Sequence, residues 1–95
     1  MPGKILIADD SPLVRQMVAL MMEEQGLDVV QAENGEVALG KLAGSSLDMI
    51  VTDLNMPVID GISFIQRARQ LQEARFVPIL ILTSEGEPEM GPPAT

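Results

Sequence analysis

Apolar residues run along this chain in two alternating rhythms. Four runs are short and nearly continuous: Lys4-Ile5-Leu6-Ile7-Ala8, Leu27 through Ala32, Asp48 to Thr52, and Val77-Pro78-Ile79-Leu80-Ile81-Leu82. Runs of this length suit strands covered on both faces rather than helices. The second is the most polar, which places it at an edge, and the fourth is the most apolar. Between the runs, apolar positions recur at helical spacing. Ser11-Pro12 opens a first helix, with serine as N-cap and proline at the first helical position, and Gly26 stops it. Its apolar residues Leu13, Val14, Met17, Val18, Leu20, Met21 and Met22 make a stripe wider than one face needs. Asn34-Gly35 caps a second helix, with Val37, Ala38, Leu39 and Leu42 inward, and Gly44-Ser45-Ser46 breaks it. Asp60 caps a third, from about Gly61 to Gln72, with Ile62, Phe64, Ile65, Ala68 and Leu71 inward. Arg67, Arg69 and Arg75 lie in or beyond its last turns, where positive charge complements the helix dipole.

The order is βαβαβαβ, and such alternation predicts a parallel sheet with helices on its faces. Right-handed crossovers leave few arrangements. The lengths fit an α/β doubly wound sheet, and half of a (βα)8 barrel shares the same local pattern. The pattern stops after Thr83-Ser84. Residues 85–95 hold three glutamates, three prolines and two glycines, with Met90 as the one large apolar side chain. One domain over residues 1–84 and an unstructured tail over 85–95 are therefore expected.

Composition narrows the chemistry. A formal net charge of −8 argues against nucleic acid or an anionic membrane as partner. With no cysteine and no histidine, thiolate and imidazole drop out of every catalytic or metal-binding scheme. No apolar run approaches the roughly 20 residues of a membrane span, and no signal-peptide pattern opens the chain. A cytoplasmic location is expected.

The remaining candidates gather at strand ends. Asp9-Asp10, Asp53 and Thr83 each follow or close an apolar run, and in a parallel sheet these ends share one edge. Asp53 has no capping duty, because Asp60 has the better claim to it. Two carboxylates about 4 Å apart repel by about 4 kcal/mol at an effective dielectric of about 20. A divalent cation relieves such a cluster, and oxygen ligands alone favour Mg²⁺ or Mn²⁺ over zinc. The blander alternative is that Asp9 and Asp10 merely flank the N-cap of the first helix.

Several stretches together resemble the receiver domain of two-component response regulators, most of all the single-domain chemotaxis type. They are Ile5-Leu6-Ile7-Ala8-Asp9-Asp10-Ser11, Ala32-Glu33-Asn34-Gly35-Glu36-Val37-Ala38-Leu39, Asp48 through Pro57 with Asp60-Gly61, and Pro78-Ile79-Leu80-Ile81-Leu82-Thr83. The resemblance spans residues 4 to 84 and implies a flavodoxin-like fold and a phosphoacceptor rather than an enzyme. Asp53 would accept a phosphoryl group from a histidine kinase's phosphohistidine. Asp10 would bind Mg²⁺ directly and Asp9 mainly through water, with Asp53 and the Asn55 backbone carbonyl completing the ligands. The Thr83 hydroxyl would meet the phosphoryl oxygen.

A receiver continues with a fourth helix, a fifth strand ending in a lysine, and a fifth helix. The resemblance thus implies a domain truncated after its fourth strand, with the catalytic lysine absent and phosphotransfer impaired. Lys4 and Lys41 match that lysine by neither position nor role. Exposure of Ile79, Leu80, Ile81 and Leu82, and of the sheet faces that the missing helices would cover, would favour a homodimer through the fourth strand or through those uncovered faces. Two rivals stand beside the phosphoacceptor. One is a non-catalytic interaction or self-assembly module. The other, more distant, is a phosphatase with Asp53 as nucleophile, a class that usually wants a second aspartate where this chain has Asn55.

Overall fold

The computed structural model describes residues 3–82. The order is β1 (Lys4–Ala8), α1 (Pro12–Glu24), β2 (Asp28–Ala32), α2 (Gly35–Leu42), β3 (Met49–Asp53), α3 (Gly61–Gln70), a 3₁₀ turn (Gln72–Ala74) and β4 (Ile79–Leu82). All four strands are parallel, in the spatial order β2-β1-β3-β4. In a barrel each strand would neighbour the next in sequence. Here β1 lies between β2 and β3, so the sheet is open and doubly wound. The polar β2 holds one edge, as its composition predicts, and β4 holds the other among the described residues.

Side chains alternate across the sheet, so each strand feeds two cores. Leu6, Ala8 and Ile50 point to the side covered by α2 and α3, where they meet Ala38, Leu42, Phe64 and Ala68. Ile5, Ile7 and Val51 point to the other side and meet Ala19 of α1, with Val18 and Met22 packed against them. The helix starts are fixed locally. Ser11 Oγ accepts the Val14 N–H (3.3 Å), Asn34 Oδ1 the Val37 N–H (2.8 Å), and Asp60 Oδ1 the Ser63 N–H (2.8 Å). All three caps are the residues that the sequence singles out.

Differences are confined to element ends and one side chain. β4 begins at Ile79 rather than Val77, and α3 ends at Gln70 rather than about Gln72. Arg69 explains the early stop. Its Nη1 donates to the carbonyls of Ala74, Arg75 and Val77 at 2.9, 3.3 and 2.6 Å. One guanidinium thereby satisfies a turn that a longer helix would have straightened. Ile62, expected inward, is 52% exposed, because the buried line of α3 runs through Gly61, Phe64 and Ala68. Thr83 and the tail over residues 85–95 lie outside the described residues.

Candidate functional site

Parallel pairing brings the carboxyl ends of β1 and β3 side by side, with Ala8 opposite Thr52. The residues that follow share one edge for that reason. Asp9 leaves β1, its N–H still bonded to the Ala32 carbonyl at 3.1 Å. Asp53 closes β3, in register with Leu82 of β4. Carboxylate oxygens of Asp9, Asp10 and Asp53 come within 4.8 Å of one another. Asp9 and Asp53 are buried while Asp10 is exposed, so the cluster opens outward on the Asp10 side.

The surroundings of the two buried acids differ. Asp9 Oδ1 accepts the Ser11 N–H at 2.8 Å, and Arg15 Nη1 holds the Asp9 backbone carbonyl at 2.7 Å. Burial nonetheless pushes the Asp9 carboxyl above its ordinary value, opposed by the Ser11 N–H. The negative charges of Asp53 and Asp10 push the same way, and the Arg15 cation pulls back. Asp53 Oδ1 is buried and has no hydrogen-bond partner among the described residues. Buried carboxylate oxygens are rarely left so, because an unmet acceptor keeps its full desolvation penalty. Repulsion between acids and an orphaned buried oxygen are both answered by one hard cation. The donor set, all oxygen, fits Mg²⁺.

The loop after β3 completes the edge. Asn55 stands exposed in it, two residues past Asp53, and Met56 turns back into the core. The Pro57 carbonyl accepts the Ile59 N–H at 2.8 Å, a tight turn that puts Val58 at φ +72°. That is a strained backbone for a β-branched residue. The Gly61 N–H returns to the Leu54 carbonyl at 2.9 Å and closes the loop at its base. A Cβ on Gly61 would overlap the Asp53 carbonyl oxygen and lie 2.7 Å from Leu54 Cα. Only glycine lets α3 begin this close to the end of β3.

Of the residues singled out from sequence, the structure brings Asp9, Asp10 and Asp53 together, and Asn55 follows Asp53 by two residues in the exposed loop. Thr83 lies outside the described residues. Lys41 Nζ donates to the Gln31 carbonyl at 2.7 Å. Sequence reasoning missed Arg15 and the close seat of Gly61. A cation five residues beyond an acidic pair, on the first turn of the following helix, was the available signal for Arg15. In the sequence Gly61 marks only the start of the third helix.

Comparison with known proteins bears on the family and the fold. The chain is 37% identical over 84 residues to the transcriptional regulatory protein ResD of Bacillus subtilis, covering 88% of this chain but 34% of ResD. It thus spans about a third of that relative's length. Among solved structures, the chemotaxis response regulator CheY4 of Vibrio cholerae superposes with a TM-score of 0.87 at 39% identity, over 94% of this chain and 74% of CheY4. The receiver domain of the Pseudomonas aeruginosa sensor histidine kinase PA1611 superposes with a TM-score of 0.84 at 28% identity, over 90% and 70%. That structure has a magnesium ion coordinated in its active-site cleft. The response regulator receiver domain family matches residues 5–94, and the chain belongs to that family.

Proposed function

We propose that this chain is a two-component phosphoacceptor whose acceptor atom is a carboxylate oxygen of Asp53. One observation carries the reading. Asp53 ends β3 buried, with an unmet oxygen, at the edge where two other carboxylates converge. Receiver domains take phosphoryl groups from histidine kinases, so the donor is a phosphohistidine. The Asp53 oxygen attacks phosphorus, the phosphorus–nitrogen bond breaks, and its electron pair returns to the imidazole nitrogen, which takes up a proton. Asp9, Asp10, Asp53 and the Asn55 carbonyl would hold Mg²⁺. The ion supplies positive charge against the phosphoryl oxygens. Thr83 would place its hydroxyl on one of those oxygens. Arg15 fixes the Asp9 backbone, and the Ser11 N–H fixes its carboxylate, so the acidic pair is held before any ligand arrives. A cytoplasmic setting and neither nucleic acid nor membrane as partner belong to the same reading, supported by the −8 charge. No helix among the described residues is long and apolar enough to cross a membrane.

Intact-mass measurement after incubation with acetyl phosphate and Mg²⁺ should show one added phosphoryl group, absent in Asp53→Asn. Labelling that persists in Asp53→Asn would refute the assignment. Calorimetric titration should show Mg²⁺ affinity reduced in Asp53→Asn and reduced more in Asp10→Asn, and an unchanged affinity in Asp10→Asn removes the metal site from consideration.

A second reading, self-association, has its own observation. Among the described residues β4 is the most apolar strand yet the least covered, an edge of the sheet with Leu80 47% and Ile81 42% exposed. Such an edge is a template for another strand. A two-fold homodimer through β4 follows, and a monomer mass by sedimentation at micromolar concentration would rule it out. The phosphatase alternative ranks below both, because Asn55 stands where a second carboxylate is wanted.

A further inference from the structure

The loop between Asp53 and Gly61 is gripped from two sides, and one grip comes from a different part of the chain. Gly35 begins α2, the element that follows β2. A Cβ there would lie 2.8 Å from the Ile59 carbonyl oxygen, 3.0 Å from Ile59 Cβ and 3.2 Å from Ile59 Cγ2. Its backbone is not left-handed, so the position demands space and not conformational freedom. The neighbouring Gly40, on the same helix, would meet nothing within 4 Å. Close approach at Gly35 is therefore specific to the loop.

The loop has little slack with which to absorb a push. Its base is tied by the Gly61-to-Leu54 hydrogen bond, and the Gly61 seat lies directly on the Asp53 carbonyl. Pro57 is stiff, and Val58 is already held at φ +72° by the turn that Ile59 closes. With the base tied and the turn at Val58 already strained, a displacement of Ile59 is shared along the loop as far as Leu54 and Asn55. We propose, on the footing of the magnesium site described above, that Gly35 is a positioning residue for it. The N-terminus of α2 acts as a backstop that sets the Asn55 carbonyl, and through Leu54 the end of β3, from 20 residues away in sequence.

The test compares three variants with the full chain. Gly35→Ala places a methyl group against Ile59, Ile59→Ala trims the loop's side of the same contact, and Gly40→Ala is the control that changes the helix alone. Two quantities are read: amide chemical shifts of Leu54 and Asn55 without metal, and Mg²⁺ affinity by NMR titration. Gly35→Ala should move both amides and weaken Mg²⁺ on the order of ten-fold, the scale typical of residues that orient metal ligands. Ile59→Ala should move the same amides less. Gly40→Ala should leave amides and affinity at wild-type values, with folding stability raised. If Gly35→Ala does not fold, Ile59→Ala decides by the same two readings. Amide shifts no larger than in Gly40→Ala, in whichever of the two variants folds, would overturn the proposal. Wild-type protein that binds no Mg²⁺ instead defeats the metal site, while the metal-free amide shifts still decide whether Gly35 positions the loop.

Discussion

The two faces of the sheet are closed by different means. On one, α2 and α3 lay Ala38, Leu42, Phe64 and Ala68 against Leu6, Ala8 and Ile50, all fully buried. On the other, α1 is the one helix among the described residues and contributes a single buried residue, Ala19. Its outer side carries Leu13, Met17, Leu20 and Met21, between 54% and 66% exposed. The stripe that looked too wide from sequence is in fact two stripes. Val18 and Met22 face the sheet beside Ala19, Val14 is half-buried, and Leu13, Met17, Leu20 and Met21 face away. Helical amphipathicity therefore locates a core only when the apolar arc is narrow. A broad arc fixes the helix but leaves its rotation open.

The largest expected effect tests the filled face. Phe64 is the largest of the fully buried side chains, seated among small residues such as Ala68 and Ala74 that cannot expand into its space. Phe64→Ala should cost about 3–5 kcal/mol by urea denaturation. A cost below about 1 kcal/mol would mean that this core collapses freely, and the contrast between faces would disappear.

The thinner face should fail in the opposite way, by overfilling. Ala19 is small where α1 meets Ile5, Ile7 and Val51. Ala19→Leu should destabilise by about 1–3 kcal/mol. Met17→Gln and Leu20→Gln, on the outer stripe of the same helix, should stay within about 0.5 kcal/mol of wild type in the monomer. A large loss from either would show that the outer stripe is covered in solution.

What could be read from sequence follows the reach of each interaction. Strands, caps and the acidic edge rest on local pattern, and Ser11, Asn34, Asp60, Asp9, Asp10 and Asp53 all stand where local chemistry places them. Strand order needed the resemblance, because a barrel and an open sheet share the same alternation. The illegible parts depend on contacts between distant segments. Arg69 gathers three carbonyls from the turn ahead of it, Glu73 accepts the Gly44 N–H across 29 residues, and Gly35 makes room for Ile59. Ile62 was misplaced for a related reason: Gly61, not Ile62, is the residue that α3 presses against β3. No periodicity announces a glycine chosen for the space it leaves.

The smallest expected effect separates the faces by pH. α1 is capped by the Ser11 hydroxyl, which does not titrate, whereas α3 is capped by Asp60. Hydrogen bonding to the Ser63 N–H holds the Asp60 carboxyl below its ordinary 3.8. Bonds from its own N–H and that of Gly44 likewise hold Glu73 low, in the turn beside α3. A carboxyl depressed in the fold binds its proton more tightly in the unfolded chain. The Asp60 contribution to stability is therefore present above 3.8, and that of Glu73 above 4.5, each lost as pH falls through the lower folded value. Burial raises Asp9 and has the opposite sign, so net stability mixes the two and is a poor readout. Individual amides are a better one. The Ser63 N–H shift should titrate with a midpoint below 3.8, and the Val14 N–H, bonded to Ser11 Oγ, should show no such midpoint. Asp60→Asn keeps a capping oxygen and should abolish the Ser63 titration while α3 persists. A Ser63 midpoint at or above 3.8, or one that survives Asp60→Asn, would mean that another group caps α3 in solution.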